Sequence, residues 1–71
     1  MHYYIVVFAF NKPNQMKLFH YIDDSGTLIF TEDWNKATKY LIDYTSIDVV
    51  HTKLKFLQRS FCNCFFGILI K

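Results

Sequence analysis

The chain is poor in the residues that interrupt regular structure, with only two glycines and one proline among 71 residues. That composition argues against a disordered or low-complexity segment. No internal repeat occurs, and no shift in composition marks a linker. Instead, 52% of the residues are hydrophobic and 20% are aromatic, and large aromatic side chains bury much apolar area in a short chain. The sequence therefore predicts one small domain spanning residues 1–71.

Catalytic and metal-binding motifs are also missing. There is no glycine-rich phosphate loop, and no Ser, Cys or His lies in a recognisable nucleophile motif. Cys62 and Cys64 are too few for the usual four-ligand zinc site, and the three histidines are scattered along the chain. We interpret both cysteines as small hydrophobic residues of a buried strand, in preference to a metal or redox site. We therefore expect a non-enzymatic protein with no metal or cofactor.

No segment has the features of a membrane span or an export signal. The apolar run at residues 61–70 is shorter than the roughly 20 residues that cross a bilayer. The first apolar segment has neither the basic region nor the small-residue cleavage site of a signal peptide. Two cysteines do not make a disulfide framework, which favours a reducing compartment. We expect a soluble, cytoplasmic protein that does not bind membranes.

Neither sign of charge dominates the chain, since the formal net charge is only +2. The excess of positive charge nevertheless lies entirely in residues 49–71, because this segment contains basic residues and no acidic residue. In a helix, His51, Lys55 and Arg59 would follow each other at intervals of four residues and could contact phosphates. The simpler interpretation is a solvated face whose late cations suit the helix C-terminus. Binding of nucleic acid through these residues is therefore the less favoured hypothesis.

Alternating apolar residues predict three strands near the start of the chain. The predicted strands are residues 2–10, 16–22 and 27–30. The first is apolar on both faces, which is typical of a central strand that is covered on both sides. A polar connection at residues 11–15, which contains Pro13, and a turn at residues 23–26 separate the three strands. These segments predict an antiparallel meander.

Residues 31–44 allow two interpretations. Either Thr31 caps one helix over residues 32–44, or a short helical turn at residues 32–37 is followed by a strand at residues 38–43. In the one-helix interpretation, the inward side chains would be those of Trp34, Ala37, Leu41 and Tyr44.

The sequence GTLIFTEDWNKATKY, which begins at Gly26, resembles a pattern that recurs in short proteins of low-GC bacteria and phages. In that pattern a glycine turn, a strand, a short helical turn and a helix follow in order, here over residues 26–57. The resemblance implies no activity. It favours the second interpretation, with a strand at residues 38–43.

Residues 46–58 have the clearest helical pattern. Apolar residues spaced three or four apart form a stripe of Ile47, Val50, Leu54 and Leu57. Thr45 and Asp48 resemble a capping box at the helix start, although a strand over residues 47–57 is the alternative. We expect Leu54 and Leu57 to be buried, and Lys55 and Arg59 to be exposed.

A last apolar strand at residues 61–70 is predicted to pair with residues 2–10 at the centre of the sheet. The predicted fold class is α+β, an antiparallel sheet of four or five strands with one main helix on one face. The order is β-β-β-(short helix or strand)-α-β. One helix covers one face only, and a large exposed apolar face is unusual on a monomer. We therefore predict a homodimer packed sheet to sheet, unless residues 32–44 form a helix that covers the second face.

Aromatic residues are more numerous than one small core can bury. Because Trp and Tyr are frequent anchors of protein interfaces, the interaction candidates are Trp34, Tyr3, Tyr4, Tyr21, Tyr40 and Tyr44. The alternative is that most of them are half-buried residues of the sheet. The abundance of Lys, Ile, Phe, Tyr and Asn is what AT-rich codons give, and it indicates a low-GC bacterium or its phage.

The preferred functional hypothesis is a non-enzymatic protein-binding module encoded by a phage or mobile element. It would bind and inhibit a host defence protein in the bacterial cytoplasm, for example in the manner of an anti-CRISPR protein. Small size, the missing catalytic motifs, the aromatic excess and the apparent origin support this hypothesis.

Overall fold

A computed structural model describes residues 1–71 as an antiparallel sheet of five strands with one α-helix. In chain order the elements are β1 (His2–Ala9), β2 (Lys12–Ile22), β3 (Leu28–Thr31), β4 (Lys39–Leu41), a short 3-10 helix (Ile42–Tyr44), α1 (Ile47–Ser60) and β5 (Cys64–Ile70). The α+β fold class is confirmed, and so is the interpretation that places a strand within residues 38–43. Helix α1 is neither long enough nor apolar enough to cross a membrane.

Strand β1 lies at the centre of the sheet. β5 pairs with it from Tyr3 to Ala9 along one side, while β2 and β4 share the other side. β3 extends the sheet beyond β2. β5 has no strand neighbour other than β1, so the prediction of a central position is correct for β1 and wrong for β5. The alternation of apolar residues cannot reveal this difference, because a helix and a loop segment can cover an edge strand as well as a central one.

A bulge in β2 makes room for β4. Phe19 pairs with Phe30 and Tyr21 with Ile29, so His20 is an extra residue in β2. Thr38, just before β4, meets this site: its backbone N–H donates to the Phe19 carbonyl at 3.0 Å, and its hydroxyl donates to the His20 carbonyl. β2 therefore leaves β1 at this point, and β4 takes its place.

The connection between β1 and β2 is shorter than predicted. β2 already begins at Lys12, within the segment predicted as a polar loop at residues 11–15. Val7 pairs with Lys17 but Ala9 pairs with Lys12, so extra residues bulge out of β2 between these two pairs. The bulge contains Pro13, which has no N–H to donate to a regular ladder.

Alternation along β1 divides the apolar residues into two clusters, one on each face of the sheet. On the face covered by α1, here called the helix face, the buried residues are Ile5, Val7, Phe19, Val50 and Leu57. On the opposite face, here called the far face, they are Tyr4, Val6, Leu18 and Ala37.

The far face is covered in part by residues 32–38, which form turns and no α-helix. The Trp34 ring stands edge-on against Tyr4 with 4.8 Å between ring centroids, and Ala37 is buried against the same cluster. The Lys71 amine lies 3.9 Å from the centroid of the Trp34 ring, a cation–π contact that also helps to hold the indole in place. We expected the second face to be covered within the chain only if residues 32–44 formed a helix. This expectation is wrong for the part of the far face around Tyr4, which a segment of turns covers.

Helix α1 begins one residue later than the predicted capping box implies. The N-cap is Ser46, and its hydroxyl oxygen accepts a hydrogen bond from the Asp48 N–H at 3.2 Å, whereas Thr45 makes no cap contact. Leu57 is fully buried and Leu54 is half-buried. Lys53, a charged residue on the apolar side, places its amine 5.5 Å from the centroid of the Phe19 ring.

The turn between β2 and β3 is built on the Asp23 carboxylate. It accepts hydrogen bonds from the Ser25 hydroxyl at 2.7 Å and from the N–H groups of Ser25 and Thr27 at 3.0 and 2.9 Å. These bonds favour the ionised form, so the pKa of Asp23 lies below its ordinary value. Gly26 has φ of +82°, which L side chains rarely adopt. The turn predicted at residues 23–26 is confirmed.

Candidate protein-interaction surface

Four of the six aromatic candidates lie in or against the two cores. Tyr4 is buried, with 7% of its surface exposed, and Trp34 packs on it. Tyr3 and Tyr40 are cross-strand partners that pack against the cluster on the helix face. Partial burial raises the pKa of the Tyr40 hydroxyl, because the buried site disfavours the phenolate. These four side chains offer little free surface to a partner.

The other two candidates, Tyr21 and Tyr44, are exposed but lie on different elements. Tyr21 belongs to β2, where its ring meets the His20 ring edge-on at 4.6 Å. Tyr44 ends the short 3-10 helix and is 85% exposed. The candidates chosen from the sequence therefore do not form one continuous surface.

A continuous apolar surface does occur at the other end of the far face, and it consists of phenylalanines. Phe8 of β1 pairs directly with Phe65 of β5, and the rings of Phe10 and Phe65 are 4.3 Å apart between centroids. Phe10 is 50% and Phe65 57% exposed. We call Phe8, Phe10 and Phe65 the aromatic patch.

Phe10 and Phe65 are exposed because nothing else in the chain covers them, whereas Phe8 is half-buried and packs against the cluster on the far face. Helix α1 lies on the opposite face, and residues 32–38 cover the far face near Tyr4 and Val6. Gly67, between the covered part and the patch, pairs with Val6, and a Cβ at Gly67 would lie 3.3 Å from a Val6 methyl group. The sheet is therefore tightly packed at its middle and open at the patch.

Sequence reasoning contained the signal for this surface but did not single it out. Alternation already placed Phe8 and Phe10 on one face of the first strand. The position of Trp34 above Tyr4 decides which end of that face is covered, and this contact joins residues 30 positions apart in the sequence. Local sequence patterns cannot predict a contact between residues this far apart in the chain.

The candidate cations for nucleic-acid binding, His51, Lys55 and Arg59, are all exposed along α1. Helix α1 lies on the helix face, so these cations and the aromatic patch are on opposite sides of the sheet. A nucleic-acid strand on the cations therefore cannot stack its bases on the patch.

The cysteines are both free, but only one belongs to β5. β5 begins only at Cys64, and a turn precedes it, in which the Cys64 N–H donates to the Phe61 carbonyl at 3.2 Å. Cys62 lies in this turn and is exposed. The prediction that both lie in a buried strand is therefore wrong for Cys62. No group of three or more His, Cys, Asp or Glu side chains gathers in the structure.

Another open region is a groove of about 390 Å³ on the helix face, near the β1–β2 bulge. Val7, Ala9 and Cys64 contribute to its lining, together with Lys12 and Lys17. Lys17 is paired with Glu32, and this ion pair lowers the pKa of the Glu32 carboxyl. Much of the positive charge at the groove is thus already neutralised within the chain.

The fold and the exposed residues define a small α+β domain with an apolar surface at one end of its sheet. Comparison of the chain with protein-family models, with curated proteins and with solved structures found no match. A function must therefore be inferred from the chemistry of the surface.

Proposed function

We propose that this chain is a non-enzymatic protein-binding module that acts through the aromatic patch. In this proposal it is a phage or mobile-element protein that binds and inhibits a host defence protein, as an anti-CRISPR protein does. The observation that carries the proposal is the exposed pair of rings, Phe10 and Phe65, on a face that the chain itself leaves open. Exposed apolar clusters of this kind mark interaction sites.

The gain from covering the two rings is large enough for specific binding. A phenylalanine buries on the order of 150–250 Å² when it is fully covered. With half of each ring exposed, covering both removes on the order of 200 Å² from water, which corresponds to about 5 kcal/mol before the cost of association. The two rings therefore have the size expected of a central hot spot.

The patch also indicates the chemistry of the partner surface. Its three side chains are apolar and carry no charge, so a matching surface is an apolar pocket or groove that desolvates the Phe10 and Phe65 rings. Phe65 belongs to β5, and Phe10 directly follows β1, where its N–H donates to the Asn63 carbonyl at 3.2 Å, so little backbone freedom is lost on binding. Inhibition would follow from occupying such a pocket on the host protein.

Capture of partners from the lysate of a low-GC bacterium tests the proposal. Three tagged baits are compared: the wild-type chain, Phe65→Ser in the patch and Tyr44→Ser, which changes an aromatic residue of still greater exposure elsewhere. We expect wild type and Tyr44→Ser to retain the same host protein and Phe65→Ser to lose it, with all three baits folded by circular dichroism. Retention by Phe65→Ser together with loss by Tyr44→Ser would contradict the proposal.

Nucleic-acid binding is the second candidate, and the exposure of His51, Lys55 and Arg59 along one helix supports it. The separation of these cations from the exposed rings makes it the weaker candidate. Binding to single- and double-stranded nucleic acid is measured as salt is raised. A steep loss with salt that becomes shallower in Lys55→Ala supports this function, and no binding at low salt removes it.

A further inference from the structure

The outer edge of β5 is an incompletely paired strand edge. In an antiparallel ladder, alternate residues direct their N–H and C=O groups to opposite sides. His2 and Lys71 exchange both backbone hydrogen bonds, at 2.9 and 3.0 Å, so the residues that alternate with Lys71 bond to β1. The residues that direct their N–H and C=O groups outward are then Cys64, Phe66, Ile68 and Ile70.

The first part of this edge is already occupied by a side chain. The Gln58 amide nitrogen donates to the Cys64 carbonyl at 2.7 Å, and the Phe66 N–H donates to the Gln58 amide oxygen at 3.1 Å. One glutamine from α1 thus makes the two hydrogen bonds that a neighbouring strand would make there. The Phe66 carbonyl and the N–H and C=O groups of Ile68 and Ile70 remain free.

We propose that a second copy of this chain pairs with this free edge, β5 against β5 in antiparallel orientation, with Leu69 on the twofold axis. In this register Ile68 of each copy faces Ile70 of the other, and the two pairs exchange four backbone hydrogen bonds. The sheets of the two copies then join edge to edge. The proposal concerns an edge of the sheet and does not depend on the proposed function of the aromatic patch.

Gln58 selects this register. With Ile68 on the axis, Phe66 would have to pair with Ile70 of the other copy, but the Phe66 N–H is held by Gln58. With Ile70 on the axis, only one pair of residues could exchange hydrogen bonds. The register centred on Leu69 uses every free group of Ile68 and Ile70 and leaves both bonds of Gln58 intact.

The side chains also suit a second copy. β5 contains neither a charged residue nor a proline, the features that natural proteins use to block pairing at strand edges. Ile70 is 50% exposed and would be covered beside Ile68 of the other copy. The two Lys71 residues would lie four positions apart along the strands, roughly 14 Å, which is beyond the screening length of about 8 Å at physiological salt. A longer strand from a different protein would have to displace Gln58.

Light scattering and amide exchange of the wild-type chain test the proposal together. As concentration rises from micromolar to millimolar, we expect the mass to rise from 8.5 kDa towards twice that value. Over the same range the Ile68 and Ile70 amides should become protected, while the Phe66 amide, already bonded to Gln58, should not change. A constant monomer mass, or a dimer without protection at these two amides, would overturn the proposal.

Ile70→Pro provides an independent check, because it removes an outward N–H and none of the bonds to β1. We expect dimerisation to weaken by at least about tenfold, since two of the four hydrogen bonds are lost. Phe10→Ser, in the aromatic patch, should dimerise as wild type does. Equal dimerisation of Ile70→Pro, or loss of the dimer in Phe10→Ser, would instead support sheet-to-sheet packing and overturn the edge pairing. If Ile70→Pro does not fold, amide exchange of the wild type decides.

Discussion

Replacing Gln58 by alanine removes both hydrogen bonds that this side chain makes to the edge of β5. The bonds are 2.7 and 3.1 Å long and partly buried. A net contribution of about 0.5–1.5 kcal/mol per bond gives about 1–3 kcal/mol. Because water can reach groups at a strand edge, we expect a loss at the lower end, about 1–2 kcal/mol. A chain of this length has a total stability on the order of 4–11 kcal/mol, so the loss is a substantial fraction.

Urea denaturation, at a concentration where light scattering gives the monomer mass of 8.5 kDa, measures the effect. With a urea dependence of about 1 kcal/mol per M, the midpoint should fall by about 1–2 M. Lys55→Ala, at an exposed position of the same helix, is the matched control and should change stability by less than about 0.5 kcal/mol. Gln58→Glu keeps an acceptor for the Phe66 N–H but places a carboxylate oxygen against the Cys64 carbonyl, so it should be at least as destabilising as Gln58→Ala. Equal midpoints for Gln58→Ala and Lys55→Ala would refute the reasoning.

Three further predictions concern the core, the turn and the cysteines. Leu57→Ala should lower the free energy of unfolding, measured by urea denaturation, by about 2–5 kcal/mol, and Leu54→Ala should lower it less, because Leu57 is fully buried and Leu54 only half-buried. Equal losses for the two variants would contradict the packing described for α1. The lowered pKa of Asp23 means that its ionised form is favoured by folding, so its contribution is complete above the ordinary aspartate pKa of about 3.9 and is lost as pH falls through the folded value. Wild type and Asp23→Asn should therefore differ in stability at pH 6 and converge in strong acid, and a constant difference would be evidence against the turn. Replacing Cys62 and Cys64 by alanine should lower stability modestly and leave partner binding intact, a result that stoichiometric zinc in chelator-free protein would contradict.

Features that depend on neighbouring residues were predictable from the sequence. The turn at residues 23–26 follows from the hydrogen bonds that Asp23 offers and from the positive φ of Gly26. Helix α1 follows from the spacing of its apolar residues, although its cap is Ser46 and not Thr45. Both residues have a capping hydroxyl, and only the backbone path into the helix decides between them.

Features that depend on distant contacts were not predictable. The apolar faces of β1 correctly indicated cover on both sides, but not that Trp34 and Lys71 provide it at one end. The role of Gln58 has no sequence signal, because a glutamine that bonds to water and one that bonds to a strand edge have the same sequence pattern. The aromatic patch became visible only when Phe65 was placed beside Phe10.

The affinity of the chain for its captured host protein tests the proposed binding surface most directly. Isothermal titration compares wild type with Phe65→Ser and Tyr44→Ser, all in monomeric form. If the aromatic patch is the central hot spot, Phe65→Ser should raise Kd by about 30-fold or more, the equivalent of about 2 kcal/mol, and Tyr44→Ser by less than about threefold. Unchanged affinity of Phe65→Ser would contradict the proposal that the chain binds its partner through this patch.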